Sequence, residues 1–364
     1  GTPPPFVHLR LHTEYSLVDG LLRVEPLMAA VAAGGMPAIG LSDHGNLFAM
    51  IKFYSEARSR GLKPVIGVDA WLRQEGERAE PARLTLFAKD LAGYRNLTRL
   101  VSRSYLESRD SSRPLLERAW LDATTTAGLI ALSGAAEGDV GRTLLAGRLA
   151  EARELLAAWQ ALFGDRYYLE VQRSSRPGDD EHLAAVLELL ADWNRTECPV
   201  PLVATNDVRF LARDDFEAHE ARVCIREGTQ LDDPGRARRY SPEQYLKSPA
   251  EMTLLFGDLP EALANTVQIA RRCSLELPLD KSFLPVFEVP AGRTVPDYLR
   301  TEAEAGLASR LAALPEVPAS YRERLATELD VICRMGFEGY FLVVADFIRW
   351  AREQGIPVGP GRGS

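Results

Sequence analysis

Residues 7–12, VHLRLH, read as a short β-strand, Val7–Leu11, followed at once by a histidine, and the same grammar returns along the chain. Ala38–Leu41 leads into Asp43-His44, Val65–Ala70 carries Asp69 near its end, and Leu202–Ala204 leads into Asn206-Asp207. Arg83–Phe87, Leu129–Leu132 and Tyr167–Val171 are further β-rich runs, and Glu25–Ala33, Met50–Arg60 and Asp180–Trp193 between them have helical spacing. Repeated β/α units predict a mainly parallel sheet. About seven strands in roughly 210 residues favour an α/β fold of the closed or distorted (β/α) barrel type over an open doubly wound sheet. The ends of parallel strands share one rim, so His12, Asp43, His44, Asp69, Asn206 and Asp207 converge although they lie far apart in sequence. Any one of them alone reads as a capping or turn residue. Spread over four strand ends, they read as a site.

With 364 residues and 46% hydrophobic content, the chain can bury one large core and part of another. It has no run of about eighteen apolar residues, and its first residues, Gly1-Thr2-Pro3-Pro4-Pro5, do not form a signal peptide. Cys198, Cys224, Cys273 and Cys333 are widely spaced, which suggests neither a disulfide framework nor a zinc ribbon and fits a reducing, cytoplasmic setting. A net charge of -8 argues against a dedicated nucleic-acid-binding module. The basic cluster Arg236, Arg238 and Arg239 reads as a solvated loop.

Past the β/α region, Asp215–Arg226 forms a helix that carries His219 as a packed or surface residue. Ser241–Gln244 and Ser248–Glu251 both have the spacing of capping boxes, the second opening a helical region towards Arg272. Pro278, Pro285, Pro290 and Pro296 then discourage a long helix or a central strand, and mark a domain boundary. Helices follow over Asp297–Leu314, Tyr321–Met335 and Tyr340–Glu353; Gly355 stops the last, and Ile356–Val358 leads extended into Gly359-Pro360-Gly361-Arg362-Gly363-Ser364. Three glycines and a guanidinium suit a phosphate-cradling loop. The absence of lysine sets it apart from a Walker-type loop.

Phe6–Gly20 (FVHLRLHTEYSLVDG), Ser42–Leu47 (SDHGNL), Ala204–Phe210 (ATNDVRF) and Gly339–Ser364 together resemble, in order and over the whole chain, the alpha subunits of bacterial DNA polymerase III, the C-family of replicative polymerases. The resemblance implies a polymerase-and-histidinol-phosphatase (PHP) domain over 1–272, a distorted (β/α)7 barrel. A linker over 273–296 and the first, mainly helical part of a truncated palm over 297–364 would follow. It implies template-directed addition of dNTPs to DNA by the parent protein, with Gly361, Arg362, Gly363 and Ser364 on the nucleotide triphosphate. The carboxylates for the two catalytic Mg²⁺ ions would lie beyond Ser364, so these residues are expected not to polymerise by themselves. It also implies docking of the separate proofreading exonuclease subunit, on a surface that one sequence does not locate. An error-prone paralogue would share these features, and a stand-alone histidinol phosphatase would leave Tyr340–Ser364 without a place.

Against the metal-binding pattern of that family, His12, Asp19, His44 and Asp207 match, and Asp69 stands where glutamate is usual. Arg10, Arg83 and Arg209 replace histidines, and Ala135 replaces a further ligand. Arginine offers no lone pair and stays charged, so the three remove ligands and repel a divalent ion by several kcal/mol at a few Å. No PHP metal is therefore expected, and Arg10, Arg83 and Arg209 are expected to pair with Asp19, Asp69 and Asp207, leaving a scaffold. The competing reading keeps one Zn²⁺ or Mn²⁺ on His12, His44 and a carboxylate, with 3'-5' exonuclease or phosphoesterase activity.

Overall fold

The structure, a computed structural model, describes residues 5–76, 79–108, 113–196, 198–281, 283–315 and 318–361. The chain divides into two compact units, one ending at Leu277 and one beginning at Pro278. The first runs α1 (Val24–Ala33), β1 (Ala38–His44), α2 (Met50–Ser59), β2 (Lys63–Leu72), β3 (Ala82–Ala88), α3 (Leu91–Leu106), β4 (Leu115–Leu116) and β5 (Leu129–Leu132). It continues with α4 (Asp139–Leu145), α5 (Leu149–Phe163), β6 (Tyr167–Gln172), α6 (Asp179–Thr196), β7 (Leu202–Thr205), α7 (Phe216–Glu227), α8 (Pro249–Phe256) and α9 (Pro260–Arg272).

The strands form one curled sheet in the order β1-β2-β3-β5-β6-β7, with the short β4 beside β2. Neighbours are parallel except around β3, which runs antiparallel to both β2 and β5. The mainly parallel expectation therefore needs one correction. The chain returns from β2 to β3 in a connection too short for the crossover that a parallel pair requires.

Alternation along these strands sorts the core. On the outer face Ile39, Leu41, Ile66, Val68, Leu84, Leu86, Leu169 and Val171 pack among the surrounding helices. On the inner face one end is apolar, with Ala38, Val65, Phe87, Ile130, Tyr168 and Val203 meeting Ile269, Ala270 and Cys273 of α9 and its end. The other end of that face is polar and buried, with Ser42, Asp69, Arg83, Thr85, Glu170 and Thr205. Because β3 is reversed, its first residues, Arg83 and Thr85, lie at this polar end, where the parallel strands bring their last residues.

The segment expected as the strand Val7–Leu11 is not a regular strand; it joins the two edges of the sheet. His8 and Leu11 carbonyls accept from the Gly40 and Ser42 amides of β1 at 2.7 and 3.0 Å, and on the other side the Val208 amide donates to the Arg10 carbonyl at 3.1 Å. Between the first two bonds this segment advances three residues while β1 advances two. The extra residue is a bulge, which shifts the side-chain alternation. Val7 and Leu9 therefore join the apolar inner cluster, while Arg10 and His12 enter the polar end.

The capping box at Ser248–Glu251 opens α8 with both reciprocal bonds. That at Ser241–Gln244 opens no helix: the Gln244 side chain accepts from the Ser241 amide at 3.0 Å, and the segment is a turn. The second unit holds α10 (Val295–Leu311), α11 (Ala319–Met335) and α12 (Glu338–Glu353) around Leu299, Leu329 and Leu342. Gly336 and Gly355 follow α11 and α12 with φ of +73° and +71°, conformations that terminate a helix at little cost in glycine alone.

A β-carbon on Gly40 would lie 2.3 Å from the Leu9 carbonyl oxygen, which is backbone and cannot turn away. Gly40→Ala should therefore lower the unfolding free energy in urea by about 1–3 kcal/mol, as overpacking of a core does.

Candidate functional site at the polar end of the sheet

The polar end is organised by guanidinium groups. Arg10, fully buried, lies 3.2 Å from Asp69, 3.4 Å from Glu170, 3.2 Å from Asp207 and 3.5 Å from Glu137. Arg83 reaches the same Asp69 oxygen at 3.2 Å and lies 3.5 Å above the Trp71 ring. Arg209 pairs with Asp19 and donates to both Asp207 oxygens at 2.8 and 2.9 Å. Arg176 adds a fourth guanidinium, 3.4 Å from Asp207 and from Glu137. Burial of these ions costs several kcal/mol each unless every charge is met; here Arg10, Arg176 and Arg209 each meet two or more carboxylates, while Arg83 meets Asp69 alone.

His12 bridges two carboxylates, with Nδ1 at 2.9 Å from Asp19 and Nε2 at 2.9 Å from Asp69. Burial and the Arg209 charge oppose its protonation, but Asp19 and Asp69 outweigh them and raise its pKa. Burial would raise Asp19 and Asp69, yet Arg209 and His12 hold the first, and Arg10, Arg83 and His12 the second, well below the usual carboxylate range. Asp207 is likewise held down, against burial, by Arg209, Arg10 and Arg176. Glu170 goes the other way, because burial outweighs its contact with Arg10.

His44 stacks edge-on to Trp71 at 4.8 Å. Burial and the charge of Arg83 push its pKa well down, and its Nε2 has no hydrogen-bond partner among the described residues. Asp43 points elsewhere: it accepts from the Thr13 amide and hydroxyl and from the Ser16 hydroxyl at 2.6–2.8 Å, and fixes the loop after His12. Asn206 donates to the carbonyls of Glu243 and Tyr245. Ala135 is buried with φ of +50° and supplies no polar atom. His219 is buried in α7, its Nε2 at 2.9 Å from the Asp19 carbonyl. Arg236, read as solvated, is instead half of a buried pair with Glu220.

The structure therefore gathers Arg10, His12, Asp19, His44, Asp69, Arg83, Asp207 and Arg209, with Ala135 nearby in sequence register but chemically silent. Sequence reading missed Glu137, Glu170 and Arg176, and also Tyr240 and Gln244, which bind Asp19 and Asp207 from outside. Glu170 had a legible signal, a charged residue on the inner-facing register of an apolar strand; the others sit in turns and had none. Of the phosphate-loop residues, Gly361 is described, with φ of +146° and an exposed position, while Arg362, Gly363 and Ser364 lie outside the described residues.

The residues present do not fit a metal cluster. Both His12 nitrogens, both Asp19 oxygens and both Asp207 oxygens are already committed to hydrogen bonds, and guanidiniums stand between the carboxylates. No group of three or more His, Cys, Asp or Glu among the described residues is arranged to hold an ion.

Residues 8–174 match the family described as the PHP domain, and residues 297–364 match the bacterial DNA polymerase III alpha NTPase domain. The chain is 53% identical over 99% of its length to the DNA polymerase III subunit alpha of Pseudomonas aeruginosa. It is 46% identical over 99% of its length to that of Escherichia coli. It spans 31% of the length of each of these relatives. A solved amidohydrolase from Chromobacterium violaceum aligns with a TM-score of 0.38 at 15% identity, over 59% of this chain and 96% of that one. No helix among the described residues is long and apolar enough to cross a membrane.

Removing one partner from such a network leaves a buried charge unmet. Arg209→Ala should cost about 3–5 kcal/mol of stability in urea. Arg324→Ala, which breaks only the exposed 2.7 Å pair with Glu328, should cost less than about 1 kcal/mol. The depressed carboxylates contribute stability that is present above their unfolded values near pH 4 and is lost as pH falls towards the folded ones; His12, raised, acts in the opposite sense above about pH 6.5. The stability gap between the parent chain and Asp207→Asn should thus hold above about pH 5 and shrink below about pH 4.

Proposed function

We propose that this chain, which carries the PHP domain and the adjoining polymerase domain of bacterial DNA polymerase III alpha subunits, is the amino-terminal part of a DNA-directed DNA polymerase, its barrel a structural body without hydrolytic chemistry. The observation that carries the second half is Arg10, buried at the centre of four carboxylates. Guanidinium charge takes the place of ion charge, and the strand ends stay bridged. Arginine cannot act as a general base or bind a metal, so the arrangement favours cohesion over hydrolysis.

Within the parent protein, Arg362 and its flanking glycines would receive the triphosphate of a dNTP opposite DNA, with Mg²⁺ bound by carboxylates elsewhere. The barrel's outer surface would dock a proofreading exonuclease subunit, in the cytoplasm. In the full-length polymerase, Arg362→Ala should raise the KM for dNTP by roughly tenfold or more, the loss of one charge-assisted hydrogen bond, with primer-template affinity unchanged. An unchanged KM would remove the triphosphate role.

A second reading, one retained Zn²⁺ or Mn²⁺, draws on His44 Nε2 and Asp69 Oδ1, which have no hydrogen-bond partner among the described residues. Plasma mass spectrometry decides between the two. The scaffold reading expects less than about 0.1 equivalent of transition metal and no shift in thermal unfolding after chelation, because a structural site would contribute folding energy. A full equivalent that survives dialysis and is lost in His44→Ala would establish the second reading.

A further inference from the structure

The segment Tyr240–Lys247, between α7 and α8, runs across the polar end of the sheet and reaches the ion-pair network from outside. The Tyr240 hydroxyl donates to Asp19 Oδ2 at 3.0 Å, and its ring meets His219 edge-on at 4.7 Å. The Gln244 amide donates to Asp207 Oδ2 at 3.0 Å and to the Asp207 carbonyl at 3.2 Å. The main chain is tied as well. Arg209 donates to the Gln244 carbonyl at 2.9 Å, Leu246 to the Phe210 carbonyl at 3.2 Å, and the Ser241 hydroxyl to the Ser174 carbonyl. Asn206 holds the Glu243 and Tyr245 carbonyls at 2.8 and 2.9 Å, and His8 Nε2 lies 2.7 Å from the Lys247 carbonyl. Gln244 and Lys247 are buried, at 0% and 2% exposure, although the segment has no helix and no extended strand.

We propose that Tyr240–Lys247 is a strap that controls access to the network. Tyr240 and Gln244 put neutral donors on Asp19 and Asp207, which are held from the other side by Arg209 and, at Asp19 Oδ1, by His12. The two layers differ in strength. A hydrogen bond from a neutral donor to a carboxylate is worth less than the penalty of leaving a buried charge unmet. The strap is therefore the layer that opens first, as a local event beneath which the arginines stay paired. Closed, it lies over Asp19 and Asp207, and Arg209 beside them is 1% exposed. The inference rests on the arginine-filled reading of the rim; metal content tests that reading, and local exchange tests the strap, so the two can fail separately.

The test is amide hydrogen exchange by mass spectrometry on the 364-residue chain, combined with mapping of arginines modified by phenylglyoxal. Tyr240→Phe and Gln244→Ala should speed exchange in peptides covering 206–212 and 241–248 about tenfold, the equivalent of one lost hydrogen bond. Peptides from β1 and β2 should stay as protected as in the parent chain, and Arg209 should become modifiable while Arg10 does not. Ser241→Ala, which frees the start of the strap without touching the network, should act alike. Gly40→Ala serves as the comparison, since a global destabiliser speeds all peptides together. If the strap variants follow that global pattern, or leave both exchange and Arg209 unchanged, the proposal is wrong.

Discussion

Every side chain at the polar end of the sheet answers to one constraint, the removal of the Arg10 guanidinium from water. At 0% exposure it cannot be solvated, so carboxylates must converge on it, and Asp69, Glu137, Glu170 and Asp207 do. Asp69 and Asp207, buried in turn, require further cations, which Arg83, Arg176, Arg209 and the raised-pKa imidazole of His12 supply. The result is a network in which charges of both signs are close to balanced and every acid but Glu170 touches more than one base. A pair of that kind adds little net stability over an apolar core, but it makes the loss of any single member costly. Cohesion of distant strand ends is what such a network provides.

The backbone brings it together by two departures from a regular β/α barrel. Reversal of β3 carries Arg83 to the polar end at the start of its strand, beside the ends of the parallel strands. The bulge after Leu9 lets one segment place apolar Val7 and Leu9 at one end of the inner face and Arg10 and His12 at the other. Glycine at position 40 makes room for that bulge. Apolar packing on the outer face is continuous and indifferent to these details, so the fold tolerates an inner face given over to charge.

Much of this was legible in the residues. The helices that apolar spacing marked, α1, α2, α6, α7 and α10 to α12, lie within a few residues of their expected bounds, while α3, α4 and α5 were not marked, and the capping box at Ser248 opened α8 as its spacing implies. The identical grammar at Ser241 failed, because Gln244 is drawn inward to Asp207 and the segment is tied down as a turn before a helix can form. The Arg236 side chain, charged and in a glycine-containing loop, gave no local hint of Glu220 waiting beneath it. Local patterns report on neighbours within a few residues, and these contacts cross longer spans.

Sequence by itself determined the alternation of β and α elements, the proline-rich break, the family resemblance, and the presence of arginine where that resemblance implies metal-binding histidine. Those are properties of residue types and spacings, which a chain carries unfolded. Only the tertiary structure decided which acid each arginine meets, that β3 runs backwards, and that Tyr240 and Gln244 cover Asp19 and Asp207. The reason is physical: a buried charge selects its partner by distance and desolvation in three dimensions, and residues 10, 69, 170 and 207 become neighbours only when the sheet has curled.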